Sequence, residues 1–385
     1  MAYTVLARRY RSKSFDEVVG QEAIAQTLKN AIAHNRVAHA YLFCGTRGVG
    51  KTSMARIFAK ALNAVDEKGK ENPEVARAIM TGQDTDVIEI DAASNNSVEQ
   101  ARELIAGSVY RPMRGRKKVY IIDEVHMLST AAFNALLKTM EEPPDHVVFI
   151  LCTTETHKVP ATIQSRCQRF EFRNIPTKRI SEHLSNVIKD EGMAAEPELV
   201  HQLARLGNGS MRDALSLLDR LLASGQKKLT LRLLEELLGL PDRHLVDNLV
   251  RAIADGDTGA ALVAADELGK RGITSEQLLG TLADRLRDLM VIAACGPETE
   301  LVDLSDSARA ESVELAGRFD VPQITHMIAV CDAAGRNCRL AASPRALTEA
   351  AIVRLTMTDR MAQVAAIVSG RAPAQIANGA PAKKR

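Results

Sequence analysis

Tryptophan is absent from this 385-residue sequence, and aromatic residues make up only 3% of it. A surface that stacks unpaired bases on successive rings is therefore not expected. An excess of charge of either sign is also lacking. Lys and Arg number 50 against 48 Asp and Glu, a formal net charge of +2. No global field selects a partner, and any contact with nucleic acid has to come from a local basic patch. No apolar run is long enough to span a bilayer, and Met1-Ala2-Tyr3-Thr4 opens no signal-peptide pattern, so no membrane is expected as a partner. The six cysteines, Cys44, Cys152, Cys167, Cys295, Cys331 and Cys338, form no C-x-x-C pair. That argues against a zinc knuckle or a redox dithiol. Cys44 and Cys152 lie in apolar strand-like runs and read as core residues. A reducing cytoplasm is the expected compartment.

What is present is ordinary in bulk and specific in detail. Hydrophobic residues at 46% and charged residues at 25% suit a globular chain, and the length predicts two or three domains. Residues Gly45-Thr46-Arg47-Gly48-Val49-Gly50-Lys51-Thr52 form a full G-x-x-x-x-G-K-[ST] phosphate loop. The apolar run Ala40–Cys44 before it predicts a buried strand, and the stretch from Ser53 to Leu62 predicts a helix. Strand, glycine loop and helix N-terminus together aim backbone N–H groups at one point. Lys51 can reach the β- and γ-phosphates, and the Thr52 hydroxyl can ligate Mg²⁺.

Residues 1 to about 175 alternate strands and helices. Strands are predicted at 40–44, 86–91, 119–123, 146–151 and 169–172. Several are near-continuous apolar runs, which predicts a doubly wound α/β layer around a parallel sheet. After Pro176 the strand signal almost vanishes. Residues 176–228 predict a small helical domain, with stripes such as Ile180, Leu184, Val187 and Ile188. Residues 229–368 predict a second all-helical domain, and the Ala/Pro/Gly-rich tail 369–385, ending Lys383-Lys384-Arg385, predicts disorder.

Asp123 and Glu124 follow an apolar strand about 70 residues after the phosphate loop. An acidic residue there can complete a Mg²⁺ shell, and its neighbour can orient and polarise a water. Thr153-Thr154 close the next strand, where Thr153 can hold that water or read a γ-phosphate. Ser165-Arg166-Cys167 precedes the last strand, and Arg212 opens a helix of the second domain. From spacing alone, both arginines read as surface ion-pair residues. The cluster Arg111, Arg114, Arg116, Lys117 and Lys118 reads first as a solvated hairpin edge. Asn95, Asn96 and Ser97 suit a helix N-cap at least as well as a phosphate contact.

Taken together, several blocks resemble one family. They are Leu6–Arg11, Phe15–Gln21, His39–Phe43, the phosphate loop, Glu89–Asn95, Asp123–Leu128, Ala135–Pro144, Ser165–Cys167 and Gly209–Leu215. The chain is similar to the bacterial DNA polymerase III gamma/tau subunits, the AAA+ ATPases of the sliding-clamp loader. The resemblance is dense to about residue 222 and compositional beyond.

It implies ATP and Mg²⁺ as cofactors. Arg166 becomes a finger acting in trans on a neighbour's nucleotide, and Arg212 a second-domain sensor. Val18 and Val19 become part of an adenine pocket, with Arg11 near the phosphates. The helices after 229 become a collar. That collar assembles a pentameric ring from copies of this chain with delta and delta-prime type subunits. The implied activity is ATP hydrolysis within the DNA polymerase III holoenzyme, opening the beta sliding clamp and loading it on primer-template DNA through backbone contacts.

Two other readings share the motifs. One is a different AAA+ DNA motor, such as a branch-migration helicase or replication initiator. The other is a non-catalytic scaffold of the same ring, against which Lys51, Thr52, Asp123 and Glu124 argue. The chain also departs from the family. The segment Asn63–Arg77 lacks the four cysteines of the family's zinc module, so no zinc is expected. Ser12 replaces a usual proline. The sequence stops at Arg385, which reads either as a gamma-like length or as a truncation of the family's long form, whose further domains bind helicase and polymerase.

Overall fold

The computed structural model describes residues 3–65, 70–94, 97–239, 241–299, 301–302, 304 and 306–358. Asn95 and Asn96 and the tail 369–385 lie outside them. Among the described residues the chain forms two compact units, the first up to Leu229 and the second from Thr230.

The first unit is built on five parallel strands: β1 (Ala40–Cys44), β2 (Val87–Asp91), β3 (Lys118–Asp123), β4 (Val147–Thr153) and β5 (Gln168–Glu171), in the order β2-β3-β4-β1-β5. Side chains alternate across a strand, so each strand feeds two layers. Tyr41, Phe43, Ile121, Val148 and Ile150 belong to one buried cluster, packed with Phe58 and Ile57 of the helix Lys51–Asn63. Leu42, Tyr120, Ile122, Phe149 and Leu151 belong to the other, packed with Phe133 and Leu136 of the helix Thr130–Glu141. Both faces of β1, β3 and β4 are covered, which is why those strands read as near-continuous apolar runs. β4 lies between β1 and β3, so the polar ends of all three meet at one edge.

Between the helix Lys51–Asn63 and the helix Pro73–Thr81 the chain leaves and returns at one place. Val65 and Glu71 form an antiparallel bridge, and the Asn72 N–H donates to the Ala64 carbonyl at 2.7 Å.

Three helices follow the sheet: Thr177–Asp190, Pro197–Leu206 and Met211–Leu222. Their buried stripes, among them Ile180, Leu184, Leu199, Leu203, Leu215 and Leu218, give a small helical lid. Two residue pairs join as short parallel strands, β6 (Ala194–Ala195) and β7 (Lys228–Leu229). The N-terminal segment is tied to this lid. Tyr3 donates its hydroxyl to Asp219, Tyr10 donates to Glu191 at 2.5 Å, and Arg9 pairs with Glu191.

The second unit is all helical, comprising Leu231–Leu238, Arg243–Ala254, Thr258–Lys270, Ser275–Cys295, Asp306–Ala316, Val321–Cys338 and Pro344–Thr356. Leu249, Leu279, Leu282, Leu286, Ile324 and Ile352 are fully buried in its core. Inside that core Arg285 donates to Asp247 Oδ1 at 2.6 Å and to Ser312 Oγ at 2.8 Å. No helix among the described residues is long and apolar enough to cross a membrane.

Candidate active site

The phosphate loop leaves β1 and turns into the helix Lys51–Asn63. Gly45, Gly48 and Gly50 have φ of 147°, 78° and 102°, a region in which a Cβ is costly. At Gly48 space is tighter still. An added Cβ would lie 1.9 Å from Ser210 Oγ and 3.2 Å from the Cβ of Arg212. The loop thus rests on the N-terminus of the lid helix Met211–Leu222, whose N-cap is Ser210. Thr46 adds a second link, its hydroxyl donating to Asn174 Oδ1 at 2.6 Å.

Lys51 is 6% exposed, and its Nζ donates to the Gly45 and Thr46 carbonyls at 2.8 Å each. Burial holds its pKa below the usual ammonium value, and an anion in the loop reverses that effect. The Thr52 hydroxyl donates to Asp123 Oδ2 at 2.7 Å. Burial pushes the Asp123 carboxyl above its ordinary range, against the opposing pull of the Thr52 hydroxyl and the Glu124 N–H. A hydroxyl and a carboxylate at this separation form a hard, all-oxygen pair of the kind Mg²⁺ prefers, and a cation there would favour the ionised carboxylate.

A cleft of about 440 Å³ opens over the loop. Its polar end carries Arg47 to Ser53 (Gly48, Val49, Gly50, Lys51 and Thr52 between them) with Asp123 and Glu124. Its apolar wall includes Val18, Val19, Ile175 and Leu215. Arg8, Arg11, Arg47, Lys51 and Arg212 line the cleft with Arg56, which Glu89 pairs, against two lining carboxylates, Asp123 and Glu124. Burial, with Arg56 and Arg212 close by, depresses the pKa of Arg11. Crowded cations without enough counter-charge prepare the cleft for a polyanion.

Four of the residues singled out in the sequence do not line the cleft. Gly45 sits beneath the loop, where a Cβ would meet the Phe172 carbonyl oxygen at 2.4 Å, and Thr46 turns to Asn174. Thr153 is fully buried, and its hydroxyl oxygen accepts from the Glu155 N–H and lies 3.0 Å from His126 Nδ1. It is Thr154 that touches Glu124, donating to Oε2 at 3.0 Å. Arg166 lies outside the cleft, its Nη2 2.5 Å from Glu141 Oε1 and its Nη1 donating to the Thr162 carbonyl at 2.6 Å.

Two lining residues had little signal in the sequence. Arg56 is clamped to Glu89 through Nε and Nη2 at 2.6 and 2.8 Å, and its Nη1 donates to the Met80 carbonyl. Its only marker was its spacing, four residues after Thr52 on one helix face. His183 sits in a gap of the apolar stripe Ile180–Leu184, and burial lowers its pKa.

Comparison with known proteins matches residues 20–369, in three segments, to subunits of one assembly. Residues 20–176 match the family model of the DNA polymerase III delta subunit. Residues 179–227 match the ATPase lid domain of the DNA polymerase III clamp loader subunit, and residues 229–369 match domain III of DNA polymerase III subunits gamma and tau. DNA polymerase III subunit tau of Escherichia coli (strain K12) is 43% identical over 313 residues, covering 79% of this chain and 48% of that protein. Subunit tau of Bacillus subtilis (strain 168) is 38% identical over 366 residues, covering 93% of this chain and 64% of that protein. Subunit gamma of Buchnera aphidicola is 38% identical over 282 residues, covering 72% of this chain and 78% of that protein. The chain thus spans about half the length of the Escherichia coli relative and most of the Buchnera one. Parallel sheet, phosphate loop, helical lid and helical third domain agree with these matches, and the chain belongs to the DNA polymerase III gamma/tau family of AAA+ clamp-loader subunits.

Proposed function

We propose that this chain is the ATP-hydrolysing motor of a replicative clamp loader. The observation that carries the reading is the convergence of Lys51, the Thr52–Asp123 pair and Glu124 at the polar end of one cationic cleft. Mg²⁺-ATP, when bound, supplies the scissile phosphate bond and the charge of the metal. Lys51 and the loop N–H groups hold the phosphates, while Thr52 and Asp123 hold the metal. Val18 and Val19 offer an apolar surface to the base. Glu124 orients the attacking water and draws its proton. Arg212, on the lid helix that the loop touches at Gly48, ties phosphate occupancy to lid angle.

Arg166 has another task. It is absent from its own cleft and held by Glu141, which supports a role on the nucleotide of an adjoining subunit. Such a finger is worth about 10³–10⁵ in rate. Ring neighbours would be copies of this chain and delta and delta-prime type subunits. The load would be the beta sliding clamp and primer-template DNA, touched along its backbone.

The test is ATP turnover by the chain assembled with those subunits, clamp and primed template. Stimulation by clamp and primed DNA is expected, with loss in Lys51→Ala. Arg166→Ala is expected to abolish turnover while ATP binding stays near normal. Turnover no higher than that of Lys51→Ala would favour a scaffold, and strand displacement by the chain alone would favour a different motor.

A further inference from the structure

Next to Glu124, at the ends of β3 and β4, lies a polar cluster that the roles above leave unused. His126 belongs to the short turn Val125–Met127 just after β3, and its side chain is only 6% exposed. Both ring nitrogens meet oxygen. Nδ1 lies 3.0 Å from Thr153 Oγ1 and 3.5 Å from Glu124 Oε2, and Nε2 lies 3.3 Å from Glu155 Oε1. A ring placed there only to fill space would have apolar neighbours. This one has a carboxylate on each side and a hydroxyl between, so whichever nitrogen carries the proton points it at a carboxylate or at Thr153.

Glu124 itself is held in an unusual backbone state, with φ 48° and ψ 45°. Non-glycine residues adopt that state where their surroundings impose it, and such sites cluster where side-chain direction matters. Its N–H donates to Asp123 Oδ1 at 3.0 Å, and its Oε2 accepts from the Thr154 hydroxyl. His126 approaches the same Oε2 from a second direction. The ring is anchored from outside by Glu155, which also pairs with Lys158 at 2.9 Å. A base, an imidazole and a carboxylate behind it repeat the logic by which a reacting group is oriented by a group that is itself oriented.

We propose that His126 is a positioning residue for Glu124, with Thr153 and Glu155 fixing the imidazole that sets where the Glu124 carboxylate points. The inference rests on the ATPase reading above and deepens it. Thr153 then acts on the reaction through His126.

The test measures kcat and the ATP dissociation constant of the assembled ring for wild type, His126→Leu, His126→Asn and Glu124→Gln, together with thermal melting. His126→Leu is expected to lower kcat about tenfold or more, as loss of an orienting partner does. ATP affinity should change by less than about twofold. His126→Asn can place an amide group near the Nδ1 position, able to donate or accept there, and should recover most of the rate. In the Glu124→Gln background, adding His126→Leu should cost almost nothing further, because the group it positions is gone.

The inference falls if His126→Leu keeps wild-type kcat, if His126→Asn is as slow as a folded His126→Leu, if ATP affinity falls in step with the rate, or if the losses add in full. Should His126→Leu fail to melt cooperatively, His126→Asn against His126→Ala decides on the same terms. A wild-type ring that turns over no ATP removes the proposed function and this inference together, whereas normal wild-type turnover with an unaffected variant removes this inference alone.

Discussion

Replacing Gly48 by alanine should be far more damaging than one added methyl group implies. Two costs combine. The left-handed backbone at φ 78° costs an L side chain roughly 1–2 kcal/mol. The added Cβ also falls 1.9 Å from Ser210 Oγ, so Ser210 has to leave its rotamer. That hydroxyl accepts from the Asp213 N–H at 3.2 Å as the cap of the lid helix, and losing such a cap costs about 1 kcal/mol. The sum is about 2–3 kcal/mol. If the loop must hold this geometry to bind phosphates, nucleotide affinity falls about 30- to 150-fold. Titration of a fluorescent ATP analogue reads the loss directly.

A second background separates the two costs. Ser210→Gly alone should cost only a few tenths of a kcal/mol, since glycine also caps helices. It removes the obstructing hydroxyl, so Gly48→Ala made in that background should lose only the backbone term of about 1–2 kcal/mol. Affinity within about threefold of wild type for the single variant, or an identical loss in both backgrounds, would refute the idea that the loop bears on the lid cap.

Other expectations concern stability and metal content. Asp86 is 1% exposed and accepts from the N–H groups of Met113, Arg114 and Gly115 at 2.7, 2.6 and 2.8 Å. Burial alone would raise its pKa, but those three donors more than offset it and hold the carboxyl below its ordinary value. The native state therefore binds this proton less readily than the unfolded chain, so the stabilisation is present above that value and is lost as pH falls through the native one. Asp86→Asn should melt earlier at neutral pH, by an amount equivalent to about 1–3 kcal/mol, and show a flatter acid limb. In the second unit Arg285 and Asp247 are 7% and 1% exposed, and Asp247→Ala should cost about 3–5 kcal/mol in a urea melt because it strands a buried guanidinium. Pairing Asp247→Leu with Arg285→Met should recover much of that loss. Metal analysis of the purified chain is expected to return no stoichiometric zinc.

Contiguous features were legible in the sequence. The glycine loop, the acidic pair after an apolar strand and the apolar runs of the sheet each lie within a few residues, and local periodicity or motif spacing reports them. Pairings across the chain were not legible. Thr46 with Asn174, Arg56 with Glu89 and His126 with Glu155 join residues that the strand order β2-β3-β4-β1-β5 brings together, and Gly48 with Ser210 joins the loop to a lid helix. Thr153 illustrates the difference. Its position at the end of β4 was clear, but the direction of its hydroxyl, toward His126 and away from the cleft, depends on a residue of another strand end.

The bridge between Val65 and Glu71, with the Asn72 N–H on the Ala64 carbonyl, has a consequence for how such a chain changes over generations. The described residues on either side are joined to each other. A change in the length of the connection is therefore expected to leave the phosphate-loop helix and the sheet in register, with doubling its length costing only about 0.6 kcal/mol of closure entropy. A single deletion inside β4, by contrast, would swap the two faces of the strand on which the rest of the domain is layered.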